Sequence, residues 1–273
     1  MKKVILRTKK KIRYLDLRNL SLVNDIQLNF KNIHKIKVLY NNKIVEIGEI
    51  FSIKISSTKL NFNKFEIYGC NKFCHFLGFN WKKDFLFVDS DLGNNIGYGM
   101  KSGEIHINGS VNDFLGSEMN GGLLHVKGDA KNFVGAGFLG NRIGMCGGEI
   151  IIEGNAGDYL GFFMRRGLII IKRNVGKFCG FKMIAGTLIL FQGYESFLGL
   201  SMKRGSIILL TNNSLNYKLQ NKKSPIRLES SFLCYLKKYL MKKFSINLAG
   251  NKFHKYYCDR SINGIGEIIV RIG

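Results

Sequence analysis

The chain has 273 residues, 32 glycines, a single proline and a formal net charge of +23. Because 45% of its residues are hydrophobic, it can bury a large core, which excludes general disorder. The scarcity of proline excludes a proline-rich linker architecture, whereas the glycines indicate many tight turns. The charge has two open explanations: a polyanionic partner, or the Lys- and Asn-rich composition of an AT-rich genome.

The N-terminal residues show no targeting pattern. Lys2, Lys3 and Arg7 give a basic start, but no apolar run follows them, and no stretch in the sequence is long and apolar enough to span a membrane. We therefore predict a cytoplasmic protein without membrane contact. Short β-type stretches at 38–40 and 65–68 predict an N-terminal β segment.

Six cysteines are scattered along the chain, and only Cys70 and Cys74, followed by His75, lie close together in sequence. A zinc site needs two further ligands at a matching spacing, and the sequence offers none. We therefore predict reduced thiols, no disulfide framework and no metal bound by this chain.

A glycine repeat dominates the middle of the sequence, where 25 of the 32 glycines lie between Gly93 and Gly205. Two glycine series recur every 19 residues with one interval of 26, and a methionine stands three residues before each member of the second series. The first series is Gly78, Gly97, Gly116, Gly135, Gly161, Gly180 and Gly199, and the second is Gly103, Gly122, Gly148, Gly167, Gly186 and Gly205. Such a repeat indicates similar structural units that stack on one another.

A short β-type run follows each glycine of the second series, and its two inward side chains are aliphatic in every repeat. The pairs are Ile105/Ile107, Leu124/Val126, Ile150/Ile152, Ile169/Ile171, Leu188/Leu190 and Ile207/Leu209. A single strand cannot bury this face, but strands stacked about 4.8 Å apart can. We therefore predict an all-β solenoid, namely a right-handed parallel β-helix with glycine-rich coils of 19 residues.

Two irregularities interrupt the repeat. The interval of 26 marks an insertion around residues 137–144, which we expect to protrude as a loop. In the first coil Trp81 replaces the methionine and Asp84 replaces the second glycine, as expected of a unit that caps a stack.

The C-terminal part has a different pattern. A polar stretch at 211–224, followed by Pro225, precedes a run at 232–243 with helical periodicity, and a strand-like run follows at 267–272. The apolar face of the predicted helix comprises Phe232, Leu233, Leu236 and Leu240. We divide the chain into an N-terminal β segment (1–70), the parallel β-helix (71–211) and a C-terminal helix and strand capping tail (212–273).

The outward side chains of the later strands are also apolar. This outer ladder comprises Ile151, Leu168, Ile170, Ile189, Phe191, Ile208 and Leu210. Strands that are apolar on both faces belong to a sheet covered on both sides, and a bare patch of this kind is an association site. The cover has two candidates, the C-terminal helix or another subunit, and we assign the ladder to a subunit interface.

A row of basic residues lies near the corners of the later coils. This basic row comprises Arg165, Arg166, Lys182, Lys203 and Arg204. Because guanidinium groups bind carboxylates through paired hydrogen bonds, the row is a candidate site for a polycarboxylate. A solvated basic edge is the alternative.

Other motifs suggest chemistry but have simpler structural explanations. Residues 135–140 spell G-x-G-x-x-G, but a strand rather than a helix follows them in the repeat. Equivalent carboxylates lie two coils apart, too far for paired hydrolysis, and His106 and His125 stack on adjacent coils without a third metal ligand. An aromatic column, best explained by stacking that stabilises the fold, comprises Phe76, Phe114, Phe133, Tyr159, Phe178 and Phe197. We therefore predict no catalytic residue in this chain.

Several motifs resemble a known family. Residues 144–150 read Gly-Met-Cys-Gly-Gly-Glu-Ile, and residues 182–188 read Lys-Met-Ile-Ala-Gly-Thr-Leu. With the opening and closing segments, they resemble the C-type subunits of formylmethanofuran dehydrogenase, most of all the C-type subunit of the bacterial formyltransferase/hydrolase complex. The glycine coils alone are less specific, because the C-terminal domain of the glutamate synthase large subunit resembles them too. The sequence departs from the family pattern at Cys146, Arg173 and Gln192.

The resemblance implies a structural C-type subunit of a formyl-transferring C1 complex, which links tetrahydromethanopterin-dependent formaldehyde oxidation to formate. Its partners would be the amidohydrolase-like A-type, the B-type and the formyltransferase D-type subunits, which would hold the metals and catalytic residues. This chain alone would bind no cofactor. A methanofuran-type carrier would serve the complex, and its glutamate tail would suit the basic row. The alternative is a nucleic-acid- or polyanion-binding β-solenoid unrelated to C1 metabolism, with nucleic acid the less favoured partner.

Overall fold

The protein is built mainly of short strands. The computed structural model describes residues 1–25, 29–138, 140–210, 226–227, 231–248, 252–258 and 263–272. The strands are β1 (Lys2–Thr8), β2 (Leu15–Asp16), β3 (Lys37–Tyr40), β4 (Lys43–Glu46), β5 (Phe51–Ser57), β6 (Lys64–Tyr68), β7 (Cys74–His75), β8 (Phe85–Val88), β9 (Glu104–Ile107), β10 (Leu123–Val126), β11 (Glu149–Ile152), β12 (Leu168–Ile171), β13 (Thr187–Leu190), β14 (Ser206–Leu209), β15 (Ile226–Arg227), β16 (Phe253–Tyr257) and β17 (Glu267–Arg271). The helical segments are a 3-10 helix (Arg18–Asn24), α1 (Phe30–His34), α2 (Ile47–Ile50) and α3 (Ser231–Phe244).

Most strands belong to one sheet of 13 strands, in the order β15-β16-β17-β14-β13-β12-β11-β10-β9-β8-β6-β1-β5. The ten strands β1, β6, β8 to β14 and β17 follow one another in this order, and each pairs in parallel with the next. At one edge β5 pairs antiparallel with β1, and at the other β15, β16 and β17 pair antiparallel. A second sheet has the order β4-β3-β2-β7.

The predicted all-β solenoid, a right-handed parallel β-helix, is therefore wrong as a description of this chain. The large sheet is mixed, β2, β3, β4 and β7 form a separate sheet, and helical segments occur towards both ends, which fits an α/β fold better. The physical reason is that the repeat covers only residues 78–210, whereas the antiparallel strands and the helices arise from flanking segments without it. The division of the chain at residues 70 and 211 stays a prediction.

Each repeat contributes one parallel strand to the sheet, at the positions that the sequence predicted. In β10, for example, Leu124 pairs with Ile105 on one side and with Ile150 on the other. The twelve aliphatic side chains predicted to point inward are all buried, with at most 1% of their surface exposed. Each contributes roughly 1.5–3 kcal/mol by leaving water.

The methionine and glycine series occur together because they touch across neighbouring repeats. Gly122 has φ +88°, and a Cβ built there would lie 2.6 Å from Cε of Met100 in the preceding repeat. Gly148 repeats this relationship with Met119, with φ +86° and a distance of 2.7 Å. Each corner therefore needs glycine for two reasons, namely the left-handed backbone and the space that the buried methionine fills.

Polar side chains at the corner after each strand form a second ladder, the polar ladder, which the sequence analysis missed. In each step a side-chain oxygen accepts a hydrogen bond from the backbone N–H of the equivalent residue in the next repeat, at 2.6–3.1 Å. The accepting side chains are those of Asp91, Ser110, Asp129, Asn155 and Asn174, and the last donor is the Gly193 N–H. These bonds satisfy backbone donors in turns, where no strand partner is available.

The first repeat is closed by the two residues that break the pattern. Trp81 is fully buried, and its indole Nε1–H donates to the backbone oxygen of Asp84 at 2.9 Å. The Asp84 carboxylate accepts hydrogen bonds from the backbone and the side chain of Asn63, at 3.1 and 3.3 Å. The irregular unit therefore joins the repeat region to the segment before it.

The insertion is exposed at residues 138 and 140–143, as expected of a loop, but one carboxylate ties it to the preceding repeat. Glu118 accepts hydrogen bonds from Asn141 Nδ2 at 2.8 Å and from the Phe138 backbone N–H at 3.3 Å. Burial and a hydrogen bond to Glu118 raise the pKa of Tyr98 to about 12. The Phe138 ring packs on Phe114, with the ring centroids 5.3 Å apart.

Candidate functional site

The outer ladder is buried inside this chain, beneath helix α3. Ile151, Leu168, Ile170, Ile189, Ile208 and Leu210 are each at most 7% exposed, and Phe191 is partly buried against them. Leu233, Leu236 and Leu240 of α3 belong to the same apolar cluster. Of the two covers that the sequence left open, the structure therefore places the C-terminal helix here. Direct contact of the ladder with another subunit is corrected accordingly, because its side chains are already covered.

One predicted member of the helix face lies elsewhere. Phe232 is 38% exposed, whereas Leu233, Leu236 and Leu240 are at most 5% exposed. The i, i+3 and i+7 spacing of the three leucines already makes a complete stripe along α3, and Phe232 lies one residue before it.

Polar contacts fix the side of α3 nearest to β11. Lys243 Nζ donates to Glu149 Oε1 at 2.6 Å, and the Tyr239 hydroxyl donates to the same oxygen. Burial lowers the pKa of Lys243, but the hydrogen bonds to Glu149 and Tyr239 outweigh it, so the pKa is raised overall. Burial and the Glu149 carboxylate raise the pKa of Tyr239.

The basic row is a surface feature, and all five of its side chains, Arg165, Arg166, Lys182, Lys203 and Arg204, are exposed. Arg165, Ile184 and Lys203 occupy equivalent corners of three successive repeats, because the N–H of each donates at 2.8 Å to the carbonyl of a corner methionine in the preceding repeat. Lys182 Nζ lies 5.1 Å from the centroid of the Phe181 ring. The arrangement therefore presents cations along one edge, roughly 9–10 Å apart for positions two strands removed.

From Phe114 to Phe197 the aromatic column is a continuous stack of rings on the outside of the repeat region, whereas Asn95 separates Phe76 from it. Neighbouring centroids from Phe114 to Phe197 are 4.8–5.0 Å apart, and the ring planes are within 10° of parallel. This spacing follows the strand spacing, so the rings stack face to face along the repeat axis. At the last repeat Phe197 meets no stacked ring on its outer face within the described part of the chain, and it is 56% exposed.

His106 and His125 contact each other, but they lie among glutamates rather than in a metal centre. Their ring centroids are 5.4 Å apart, and each Nε2 lies 3.0–3.1 Å from a glutamate oxygen, of Glu104 and Glu153 respectively. Burial lowers the pKa of His106, partly offset by Glu104. Among the described residues no group of three or more His, Cys, Asp or Glu side chains could hold a metal ion.

The six cysteines form no disulfide with one another, and Cys70 and Cys74 lie together in the interior. A hydrogen bond to Cys74, together with burial, raises the pKa of Cys70 well above its ordinary value. Burial also raises the pKa of Cys179. These two thiols are poor nucleophiles at neutral pH, since the thiolate is the reactive form.

The G-x-G-x-x-G motif at residues 135–140 is part of a corner and the insertion. Gly135 has φ +64° and accepts a hydrogen bond from the Met145 N–H at 3.0 Å, and the next element is strand β11 rather than a helix. The geometry that binds a dinucleotide phosphate at a helix N-terminus is therefore missing from this segment as described.

A solved structure contains a chain similar to this one. It is the crystal structure of the formyltransferase/hydrolase complex (FhcABCD) from Methylorubrum extorquens in complex with methylofuran, with a TM-score of 0.81 and 24% sequence identity. The match covers 98% of this chain and 100% of that chain. This chain shares its fold. The resemblance to that complex, which the sequence motifs predicted, is thereby confirmed at the level of structure.

Sequence comparisons add no closer relationship: no protein-family model matches the chain, and no curated protein matches it. Among the helices in the described ranges, none has the length and apolar character needed to span a bilayer.

Proposed function

We propose that this chain is the C-type subunit of a formyl-transferring C1 complex, and that its role is structural rather than catalytic. The observation that carries the proposal is the fold similarity, which extends over 98% of this chain and the whole of a chain from the FhcABCD complex. Its partners would be the amidohydrolase-like A-type, the B-type and the formyltransferase D-type subunits. The complex would convert tetrahydromethanopterin-linked formyl groups to formate.

The chemistry of the described residues supports a structural role. The inward faces of the repeat strands are packed with aliphatic side chains, which leave no polar cavity there. Outside them, the buried thiols Cys70 and Cys179 have raised pKa values, and the two adjacent histidines pair with glutamates. None of these groups has a nucleophile, a base and an orienting partner in hydrogen-bond reach, as covalent catalysis requires.

The basic row suits a carrier with carboxylates. The complex of the similar structure contains methylofuran, and the sequence resemblance implies that such carriers bear glutamate tails. Exposed Arg165, Arg166, Lys182, Lys203 and Arg204 would pair with successive carboxylates of the tail along the corner edge. This chain would thus hold the tail while its partners act on the formyl group.

The alternative function, a nucleic-acid or polyanion binder, draws on the charge of +23. The aromatic stack gives it little support, because successive rings from Phe114 to Phe197 cover each other's faces at 4.8–5.0 Å and only Phe197, at the end of the stack, is mostly exposed. Stacking platforms for bases need open ring faces. Binding to single-stranded DNA that is tight at low salt and exceeds binding to the partner subunits would favour this alternative.

Co-expression tests the proposed function. The full chain is produced with the A-, B- and D-type subunits encoded in the same genome, and the tag is placed on the D-type protein. We expect a stoichiometric assembly that contains this chain and converts formyl-tetrahydromethanopterin to formate. An active assembly from which this chain is absent would overturn the proposal.

A further inference from the structure

The last turn of the repeat combines exposed apolar side chains with a cationic edge. Phe197, Leu200 and Ile265 are 56%, 37% and 67% exposed. Phe197 and Leu200 belong to the same turn of the chain. Backbone hydrogen bonds place Lys182 beside Leu200 and Ile265 beside Lys203, since the Lys182 N–H donates to the Leu200 oxygen at 3.0 Å and the Ile265 N–H donates to the Lys203 oxygen at 2.8 Å. We call this surface, formed by Phe197, Leu200, Ile265, Lys203 and Arg204, the terminal patch.

The aromatic stack ends at the terminal patch. Phe178 covers the inner face of the Phe197 ring at 4.8 Å, with the planes 10° apart, and the described residues provide no ring on the outer face. The preceding rings, those of Phe133, Tyr159 and Phe178, are covered on both sides. An apolar or aromatic side chain from elsewhere would continue the stack, and burying the exposed part of Phe197 would favour its binding.

Charge selects the kind of occupant. Lys203 and Arg204 are exposed beside the apolar side chains, and Lys182 lies on the neighbouring turn. Two carboxylates lie within two residues of the patch in sequence, and both contact other groups. Glu195 lies 4.0 Å from Lys177. Glu267 lies 3.6 Å from Lys255 and accepts a hydrogen bond from the Ser206 hydroxyl at 2.7 Å. A favourable occupant therefore brings negative charge.

The chain itself is a poor occupant by the same criterion. Residues 211–225, which follow the repeat, contain Lys218, Lys222 and Lys223 and no carboxylate. A second copy would bring a further net charge of +23 to a surface that is already basic. Both would place cations against cations. Residues 259–262, which precede Ile265, carry Asp259 together with Arg260 and so bring no net negative charge.

We infer that the terminal patch is a docking site for a partner protein, one that presents an apolar or aromatic side chain ringed by carboxylates. The inference rests on the proposed function in taking that protein to be another member of the complex. Phe197 is the anchor at the centre of the contact, and Lys203 and Arg204 form its charged rim. Such a rim accelerates association and selects the partner, while the buried aromatic side chain supplies most of the affinity.

The direct test is Phe197→Asn in the full chain. Asparagine tolerates the left-handed backbone at this position, where φ is +57°, and the lost ring is more exposed than buried, so the fold is retained. Ile44→Asn is the matched control, because Ile44 is 73% exposed on β4, outside the repeat. Thermal unfolding of both variants checks that each is folded.

Affinity for the assembled A-, B- and D-type subunits is the measurement. We expect Phe197→Asn to weaken binding about tenfold or more and Ile44→Asn to change it less than about twofold. We expect Arg204→Glu to slow association and to reduce its salt dependence. Equal binding of Phe197→Asn and the native chain would refute the terminal patch and leave the proposed function standing, whereas failure of the native chain to bind would refute the proposed function itself.

A photo-crosslink identifies the occupant. p-Benzoylphenylalanine in place of Phe197 is irradiated in the complete complex, and the linked peptide is sequenced. A peptide of a partner protein that carries apolar residues and Asp or Glu supports the inference. A peptide from residues 211–225, or from a second copy of this chain, overturns it.

Discussion

Lys243 near the end of helix α3 donates a hydrogen bond to Glu149 at the start of strand β11, at 2.6 Å across 94 residues of sequence. The contact fastens the C-terminal helix to the sheet at the point where the outer face of the strands becomes apolar. Before this point the outward positions hold His106 and His125, and from β11 onward they hold isoleucines that α3 and its flanking residues cover. The helix therefore completes a core that the repeat strands leave open.

The Lys243–Glu149 contact should contribute modestly to stability, because Lys243 is partly exposed. We expect Lys243→Met to lower the free energy of unfolding by about 0.5–1 kcal/mol at neutral pH, and exposed Lys242→Met to have a smaller effect. A double-mutant cycle with Glu149→Gln in urea measures the coupling. Since the pKa of Lys243 is raised in the folded state, the coupling is complete below the ordinary lysine pKa and disappears as the pH rises through the folded value. A coupling that grows at alkaline pH would be inconsistent with this contact.

Helix α3 should be held mainly by apolar packing. Leu240 is fully buried against the ladder, so Leu240→Ala should lower the free energy of unfolding by about 2–5 kcal/mol. The neighbouring Met241 is 48% exposed, so Met241→Ala should change it by less than about 0.5 kcal/mol. Urea denaturation measures both, and dye binding reports exposure of the ladder. Equal effects of the two substitutions would mean that α3 does not cover the sheet as described.

Two glycines with the same backbone separate the cost of a left-handed φ from the cost of crowding. Gly148 and Gly140 both have φ +86°, but a Cβ on Gly148 would lie 2.7 Å from Met119 Cε and from the Gly122 oxygen, whereas a Cβ on Gly140 would meet no atom within 4 Å. We expect Gly140→Ala to cost about 1 kcal/mol and Gly148→Ala about 2–4 kcal/mol. Differential scanning calorimetry compares the two, and equal losses would contradict the packing role of the methionine series.

Carrier binding should depend on the basic row if the row holds a polycarboxylate tail. We expect Arg165→Glu combined with Arg204→Glu to weaken binding of the methanofuran-type carrier to the purified complex at least tenfold, with assembly checked separately because Arg204 also belongs to the terminal patch. Lys43→Glu combined with Lys54→Glu makes the same change of charge at exposed positions far away in sequence and should have little effect. Arg165→Glu alone tests the row without the shared residue. Carrier retention that is identical in all variants would eliminate the row as the binding site.

The repeat made part of the fold predictable and left other parts out of reach. Strand positions and inward residues, such as Leu124 and Ile150, follow from alternation and spacing, and the structure has them. The antiparallel pairing of β1 with β5 joins segments about 50 residues apart in sequence that share no periodic signal, and this is where the predicted fold class failed.

The residues of the candidate site could be predicted from the sequence, but what covers or exposes them could not. The apolar outward residues showed that the ladder is covered, but α3 and a partner protein offer similar apolar surface, so the sequence did not distinguish them. The polar ladder at the corners was open to detection, because Asp91, Ser110 and Asp129 recur at the repeat spacing. The exposure of Phe197 could not be predicted, since it depends on where the aromatic stack ends in the folded chain.

Isolation of the complex through its formyltransferase-type member, first with this chain present and then with its gene deleted, tests the structural role most directly. We expect this chain to co-purify in fixed stoichiometry, and we expect that without it the remaining subunits separate and formyl transfer to formate is lost. We also expect the isolated chain to have no such activity. Recovery of an intact, fully active complex from the deletion strain, or formyl-transferring activity in the isolated chain, would contradict the structural role.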